Sequence, residues 1–179
     1  MGVNCKRLEQ NIIDVIKEEQ IKLGYRSETV RLYYPLTSLN NFLKTDCSEG
    51  QMQQVLTDFC DAVEEKLGRI EVTNRGERFC LAVPPEGIDY IHDHMADTEF
   101  IVDFIRTIEK HGCTMDDVFK QFYKHSEHVH IEKMNNEEFD YLVYFEDGKP
   151  DEFRYCIKDE GCHMIYHRFT IEDYKDFQF

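Results

Sequence analysis

Apolar residues recur at helical spacing early in the chain and at alternate positions late in it, and this change of period organises the sequence. In RLEQNIIDVIKEEQIKLG, residues Leu8, Ile12, Val15, Ile16 and Leu23 fall on one helical stripe, and Gly24 ends the run. No element is assigned to YRSETVRLYYP. In TSLNNFLKTD, Thr37 or Ser38 can cap a short helix carrying Leu39, Phe42 and Leu43. SEGQMQQVLTDFCDAVEEKLG then offers Ser48 as an N-cap and spaces Met52, Val55, Leu56, Phe59, Val63 and Leu67 for one buried face, with Gly68 as the stop. The period next falls to two: IEVTNRGERFCLAV sets Ile70 and Val72 against Phe79, Leu81 and Val83 across a turn at Asn74, Arg75 and Gly76, a β-hairpin. A helix from Glu86 through His94 follows.

Beyond residue 95 the pattern restarts. DTEFIVDFIRTIEKHG predicts a helix over Thr98 to His111, and TMDDVFKQFYKHS opens on a Thr114 to Asp117 capping pattern and gives another. HVHIEKM, EFDYLVYFED, EFRYCIK and CHMIYHRFT read as a four-stranded antiparallel meander, closed by a short helix in IEDYKDF. The expectation is an α+β protein with two parts, residues 1–95 and 96–179, packed together.

The order of residues 8–95, three helices and then a hairpin, resembles the winged-helix fold, whose third helix often enters the DNA major groove. The likeness is one of order and length, so it implies a fold and leaves open packing, protein contact or nucleic-acid contact. Three stretches, GERFCLAVPPEGIDYIH, HGCTMDDVFKQF and FDYLVYFEDGKPDEFRYCIKDEGCHMIYHRF, are similar to an uncharacterised bacterial family known only as a domain of unknown function. That resemblance spans nearly the whole chain and implies no activity, cofactor or catalytic residue.

Charge narrows the partners. Residues 1–95 hold 11 Lys and Arg against 16 Asp and Glu, and residues 96–179 hold 10 against 20, for a net charge of −15 overall. A surface this acidic repels phosphate backbones and anionic lipid heads, so nucleic acid is an unexpected partner and a protein or small ligand an expected one. The third helix illustrates it: Glu49, Asp58, Asp61, Glu64 and Glu65 face Lys66 alone, although Gln51, Gln53, Gln54 and Thr57 are residue types that read base edges. In the wing, Arg69, Arg75 and Arg78 suit a minor groove, but Glu71 and Glu77 interrupt them. No run approaches the roughly 20 apolar residues of a membrane helix, and the polar start has no secretory core; the expected location is the cytoplasm. Seven cysteines without a CxxC pair read as reduced thiols.

Candidate chemistry gathers around histidine. On a strand, His128 and His130 would share a face about 6.6 Å apart, close enough to chelate one ion, and His125 could join them. His163 and His167 lie about 13 Å apart on a strand and cannot share an ion with each other. A three-residue loop would align Ile157 with His163, Tyr155 with Ile165 and Phe153 with His167, placing both histidines on an apolar face. A two-residue loop would flip the face and set His163 against Lys158 and His167 against Arg154. In either register Cys162 is expected to face away from His163, which excludes that pair as a catalytic dyad. His92 and His94, two apart on a helix, point away from each other. Structural zinc normally asks for four ligands and spacing fixes no such set, so His128, His130, His163 and His167 stand as the metal or enzyme alternative, and no cofactor is expected. The chain has no GxSxG, Walker, GxGxxG or HExxH motif. The reading that remains is a non-catalytic binding module, with Phe139, Tyr141, Tyr144, Phe145, Phe153, Tyr155 and Tyr166 as either sheet core or exposed surface.

Overall fold

The computed structural model describes residues 3–135 and 137–170. It places the chain in two compact units, Met1–Met95 and Ala96–Phe179. The helix anticipated in IEDYKDF lies outside the described residues. Among the described residues no helix is long and apolar enough to cross a membrane.

The first unit contains α1 (Val3–Leu23), β1 (Val30–Pro35), α2 (Leu36–Leu43), α3 (Glu49–Leu67), β2 (Glu71–Arg75), β3 (Arg78–Val83) and α4 (Pro85–Asp93). Leu8, Ile12 and Ile16 of α1 are fully buried, but Val15 and Leu23 sit on its exposed side, so the buried stripe is narrower than the apolar one. Ser48 starts α3 as expected: its N–H and its hydroxyl both donate to Gln51 Oε1 at 2.9 Å. The cap of α2 differs. Pro35 occupies that position instead of Thr37 or Ser38, and its fixed φ of −64° leads the chain from strand straight into helix.

β1 is the element absent from the sequence reading. Val30, Leu32 and Tyr34 turn toward the core while Arg31, Tyr33 and Pro35 are exposed. The alternation is regular, but the outward Tyr33 makes LYYP read as an apolar run. β1 pairs with β3 antiparallel, Tyr33 opposite Cys80, and the sheet order is β1-β3-β2. The unit keeps its winged-helix-like order with three strands in place of two. The hairpin is also tighter than expected: Asn74 and Arg75 belong to β2, Arg75 pairs with Arg78, and Gly76 and Glu77 form the turn. Gly76 supplies, at φ +58°, the positive φ that a two-residue hairpin turn needs at its first central position.

The second unit contains α5 (Phe100–Ile108), α6 (Met115–His125) and a meander of β4 (Val129–Lys133), β5 (Tyr141–Phe145), β6 (Arg154–Asp159) and β7 (Met164–Phe169), in the order β4-β5-β6-β7. α5 is shorter than the predicted Thr98 to His111. α6 has the Thr114 cap, with Asp117 N–H donating to Thr114 Oγ1 at 3.3 Å and Thr114 Oγ1 donating to Asp117 Oδ2 at 2.8 Å. The helices cover one face of the sheet with an aromatic cluster. Phe100 lies 4.8 Å from Phe122 and from Phe145, and Phe104 lies 4.8 Å from Tyr155 and 5.1 Å from Tyr166, mostly edge to face. Of the aromatic set of the sheet, Phe145, Phe153 and Tyr155 are therefore core, and Phe139, Tyr141, Tyr144 and Tyr166 are half-buried.

The register of β6 and β7 corrects both expected alignments. Tyr155 pairs with Arg168, Cys156 with His167 and Ile157 with Tyr166, with four residues, 160–163, between the strands. Gly161 takes φ +84° and Glu160 N–H donates to His163 O at 3.1 Å, which closes a wider turn than either alternative allowed. His167 thus shares a face with Cys156, away from Tyr155 and Ile157.

Candidate functional site

The outer face of the three-stranded sheet follows from its register. Residues directly opposite in an antiparallel pair share a face, so Tyr33, Cys80 and Thr73 form one row across it, and Arg78 and Arg75 a neighbouring one. Arg31 stands two residues from Tyr33 along β1. Together Arg31, Tyr33, Thr73, Asn74, Arg75, Arg78 and Cys80 line an open groove of about 400 Å³. Tyr33 is 64% exposed, a large flat side chain sharing this groove with three arginines.

The charge of these three arginines, gathered in one groove, is not used internally. Several other cations of the unit are paired: Lys66 Nζ reaches Glu9 at 2.7 Å, Lys22 reaches Glu18 at 2.8 Å, and Arg26 lies 3.8 Å from Glu28, whereas Lys6 and Arg69 make no ion pair among the described residues. Among the described residues, Arg31, Arg75 and Arg78 make no ion pair. Two carboxylates stand beside these arginines: Glu71, in the row of Arg31 and Ala82 at the end away from the turn, and the exposed Glu77, in the turn itself between Arg75 and Arg78. Glu49, near the turn, is occupied by the Asn74 amide at 2.6 Å. A cationic, aromatic patch has been assembled in a strongly acidic chain.

The neighbouring surface has the opposite sign. Gln53, Thr57, Asp61 and Glu64 of α3, with Arg69 and Val72, line a second groove of about 430 Å³. Of the residues that could read bases, Gln51 is held in the cap, Gln54 Nε2 donates to Asp58 at 3.0 Å and the Thr57 hydroxyl donates to the Gln53 main-chain O at 3.0 Å, while the Gln53 side-chain Oε1 is buried without a partner among the described residues. Cys60, at the same groove, has its thiol pushed up to about 11 by burial, with Asp61 adding to the shift.

The histidines scatter. His130 lies on β4 and His167 on β7, the two outer strands of the meander and so about 14 Å apart across the sheet. His130 stacks on Tyr144 at 4.6 Å and lies 3.6 Å from Glu132 and 3.8 Å from Glu146. Tyr144 is sandwiched, with the Arg154 guanidinium 4.1 Å over its ring, so neither of its faces is free to stack a ligand. His128 precedes β4 and is exposed. His125 turns to Asp103 at 3.0 Å, an oxygen that Lys124 also reaches, at 2.5 Å. Burial raises the Asp103 carboxyl, but the bonds from Lys124 and His125 outweigh it and hold the group below the usual range. His167 is exposed, with Phe169 at 6.0 Å. Among the described residues, no three His, Cys, Asp or Glu side chains are arranged to hold a metal ion.

One expectation is overturned at short range. Cys162 does not face away from His163: its Sγ lies 3.1 Å from His163 Nδ1, and His163 Nε2 is 3.6 Å from Glu160. Residues 161–163 precede the strand, so strand alternation does not apply to them. The pair is nevertheless exposed and stands on a turn, outside any groove described above. His92 and His94 do point apart, stacking on Tyr25 at 3.9 Å and Tyr90 at 4.0 Å.

Of the groove residues, the sequence reading had singled out Arg75 and Arg78 but missed Arg31 and Tyr33. Their signal was the VRLYYP alternation, in which the two outward positions are a cation and an aromatic. No curated protein and no solved structure matches the chain. A family described as "Domain of unknown function, E. rectale Gene description (DUF3877)" matches residues 5–178, and the chain belongs to that family.

Proposed function

We propose that the chain is a non-catalytic protein-binding module whose recognition surface is the arginine-lined outer face of β1, β3 and β2. The observation that carries this reading is the presence of Arg31, Arg75 and Arg78, without internal ion pairs, in one groove with the exposed Tyr33. Guanidinium groups left without partners in a protein of net charge −15 match a carboxylate-bearing ligand, and a central aromatic beside them is a common composition for an interface anchor.

An acidic protein segment fits better than a nucleic acid. A duplex seated on the wing would bring its phosphates toward α3, whose outer stripe carries Asp61 and Glu64 and whose Gln51 and Gln54 are bonded to neighbouring residues. An acidic polypeptide can engage the sheet face alone and avoid that helix.

Fluorescence anisotropy with a fluorescein-labelled octaglutamate tests the reading. Binding at about 50 mM salt that weakens about tenfold or more in an R31E/R75E/R78E variant, and also weakens at about 500 mM salt, is the expected result. Equal affinity of the variant and the parent protein would contradict it.

A further inference from the structure

The same face has an open edge, and its geometry identifies how a partner would be held. Leu36 N–H donates to Glu77 O at 2.7 Å, which makes the 36 and 77 positions a hydrogen-bonded pair of the β1 and β3 ladder. Alternation along an antiparallel pair then assigns the main-chain bonds of β1 to Val30, Leu32 and Tyr34. The N–H and C=O groups of Arg31 and Tyr33, and the C=O of Pro35, point away from β3. Beside β3, the element packed substantially against β1 is α2, which follows it in the chain. Arg31 and Tyr33 are exposed, and their main-chain groups have no partner among the described residues.

This inference rests on the reading of the arginine face given above. We infer that the partner is an extended acidic peptide that adds antiparallel to β1 as a fourth strand, alternating acidic with apolar residues. The alternation follows from the two sides of the edge. A peptide residue opposite Arg31 or Tyr33 lies on the cationic face, within reach of Arg31 and, one strand further, Arg78; here a carboxylate is favoured. The intervening residues lie on the other face, beside Val30 and Leu32, which pack on the core but remain only half-buried. An apolar side chain would cover them. Pro35 has no N–H to offer, so pairing stops there and the strand has a defined end. Main-chain bonds supply affinity and the alternating side chains supply selectivity, as in other strand-addition complexes.

The test uses the full chain and a hexapeptide of alternating Glu and Val, blocked at both termini. In the proposed pairing the Glu amides point at β1 and the Val amides point away. N-methylation of the Glu amides is expected to weaken binding about tenfold or more, N-methylation of the Val amides to leave it unchanged, and amide exchange at Arg31 and Tyr33 to slow about tenfold at saturation. Binding that an R31E/R78E variant loses, but that neither methylation pattern affects and that leaves exchange at Arg31 and Tyr33 unchanged, would overturn strand addition and leave the arginine-face reading standing. Binding of oligothymidylate in place of the peptide would overturn the peptide partner. Failure of both probes to bind would overturn the arginine-face reading itself.

Discussion

Replacing Gly87 by alanine adds one methyl group where α4 leaves no room for it. A Cβ built there would lie 2.2 Å from the Leu67 carbonyl oxygen, 2.7 Å from its carbon and 2.9 Å from Val83 Cγ1, against an optimal separation of about 3.5 Å. The nearest atoms are backbone at the end of α3, so no side chain can swing aside. α4 has to retreat as a body, drawing Ile88 and Ile91 out of the core, where they are 1% and 2% exposed. Overpacking of this kind costs about 3 kcal/mol, and the better helix propensity of alanine returns about 1, leaving a loss of about 2 kcal/mol. Gly50 of α3 is the matched control, since nothing lies within 4 Å of a Cβ there; alanine at that site should stabilise by up to about 1 kcal/mol. The chain has no tryptophan, so urea unfolding is best followed by far-UV circular dichroism. A Gly87→Ala protein as stable as the parent would refute the close packing of α3 and α4.

Three further outcomes follow from the second unit and from the thiols. Tyr144→Ala, which removes the ring held between His130 and Arg154, should cost about 2 kcal/mol in thermal unfolding, while Tyr144→Phe should stay within about 0.5 kcal/mol of the parent. Asp103 has a depressed folded-state pKa, so its contribution is present above the unfolded carboxylate value of about 3.9 and is lost as pH falls through the folded value. The melting temperature of Asp103→Asn should accordingly lie below the parent's near neutral pH and converge with it on acidification; parallel curves would contradict the assignment. Cys60 and Cys156, both raised to about 11 by burial, should resist iodoacetamide at pH 8 while the exposed Cys162 is labelled first, as peptide mass mapping can read.

Helices and meander were readable because their apolar positions repeat with one dominant period and their ends carry strong local signals, such as Ser48 with Gln51 and Thr114 with Asp117. Features decided by nonlocal pairing were not. β1 escaped because an outward-facing tyrosine looks like a core residue until the strand has a partner, and the Cys162 and His163 contact escaped because the four-residue connection removed both from the strand. Half the groove was legible for the same reason. Arg75 and Arg78 flank a hairpin turn that glycine announces, whereas Arg31 and Tyr33 join them only through the pairing of β1 with β3. The histidines show the converse, since their density in KHSEHVH and CHMIYHRF suggested a centre that the strand order pulls apart.

Amide chemical shifts of the ¹⁵N-labelled chain, recorded while octaglutamate is added, bear most directly on where this protein recognises its partner. Perturbations concentrated at Arg31, Tyr33, Thr73, Arg78 and Cys80, and absent from the R31E/R75E/R78E variant, are the predicted result. Perturbations concentrated instead at His128, His130, His163 and His167, or none at the sheet of the first unit, would contradict it.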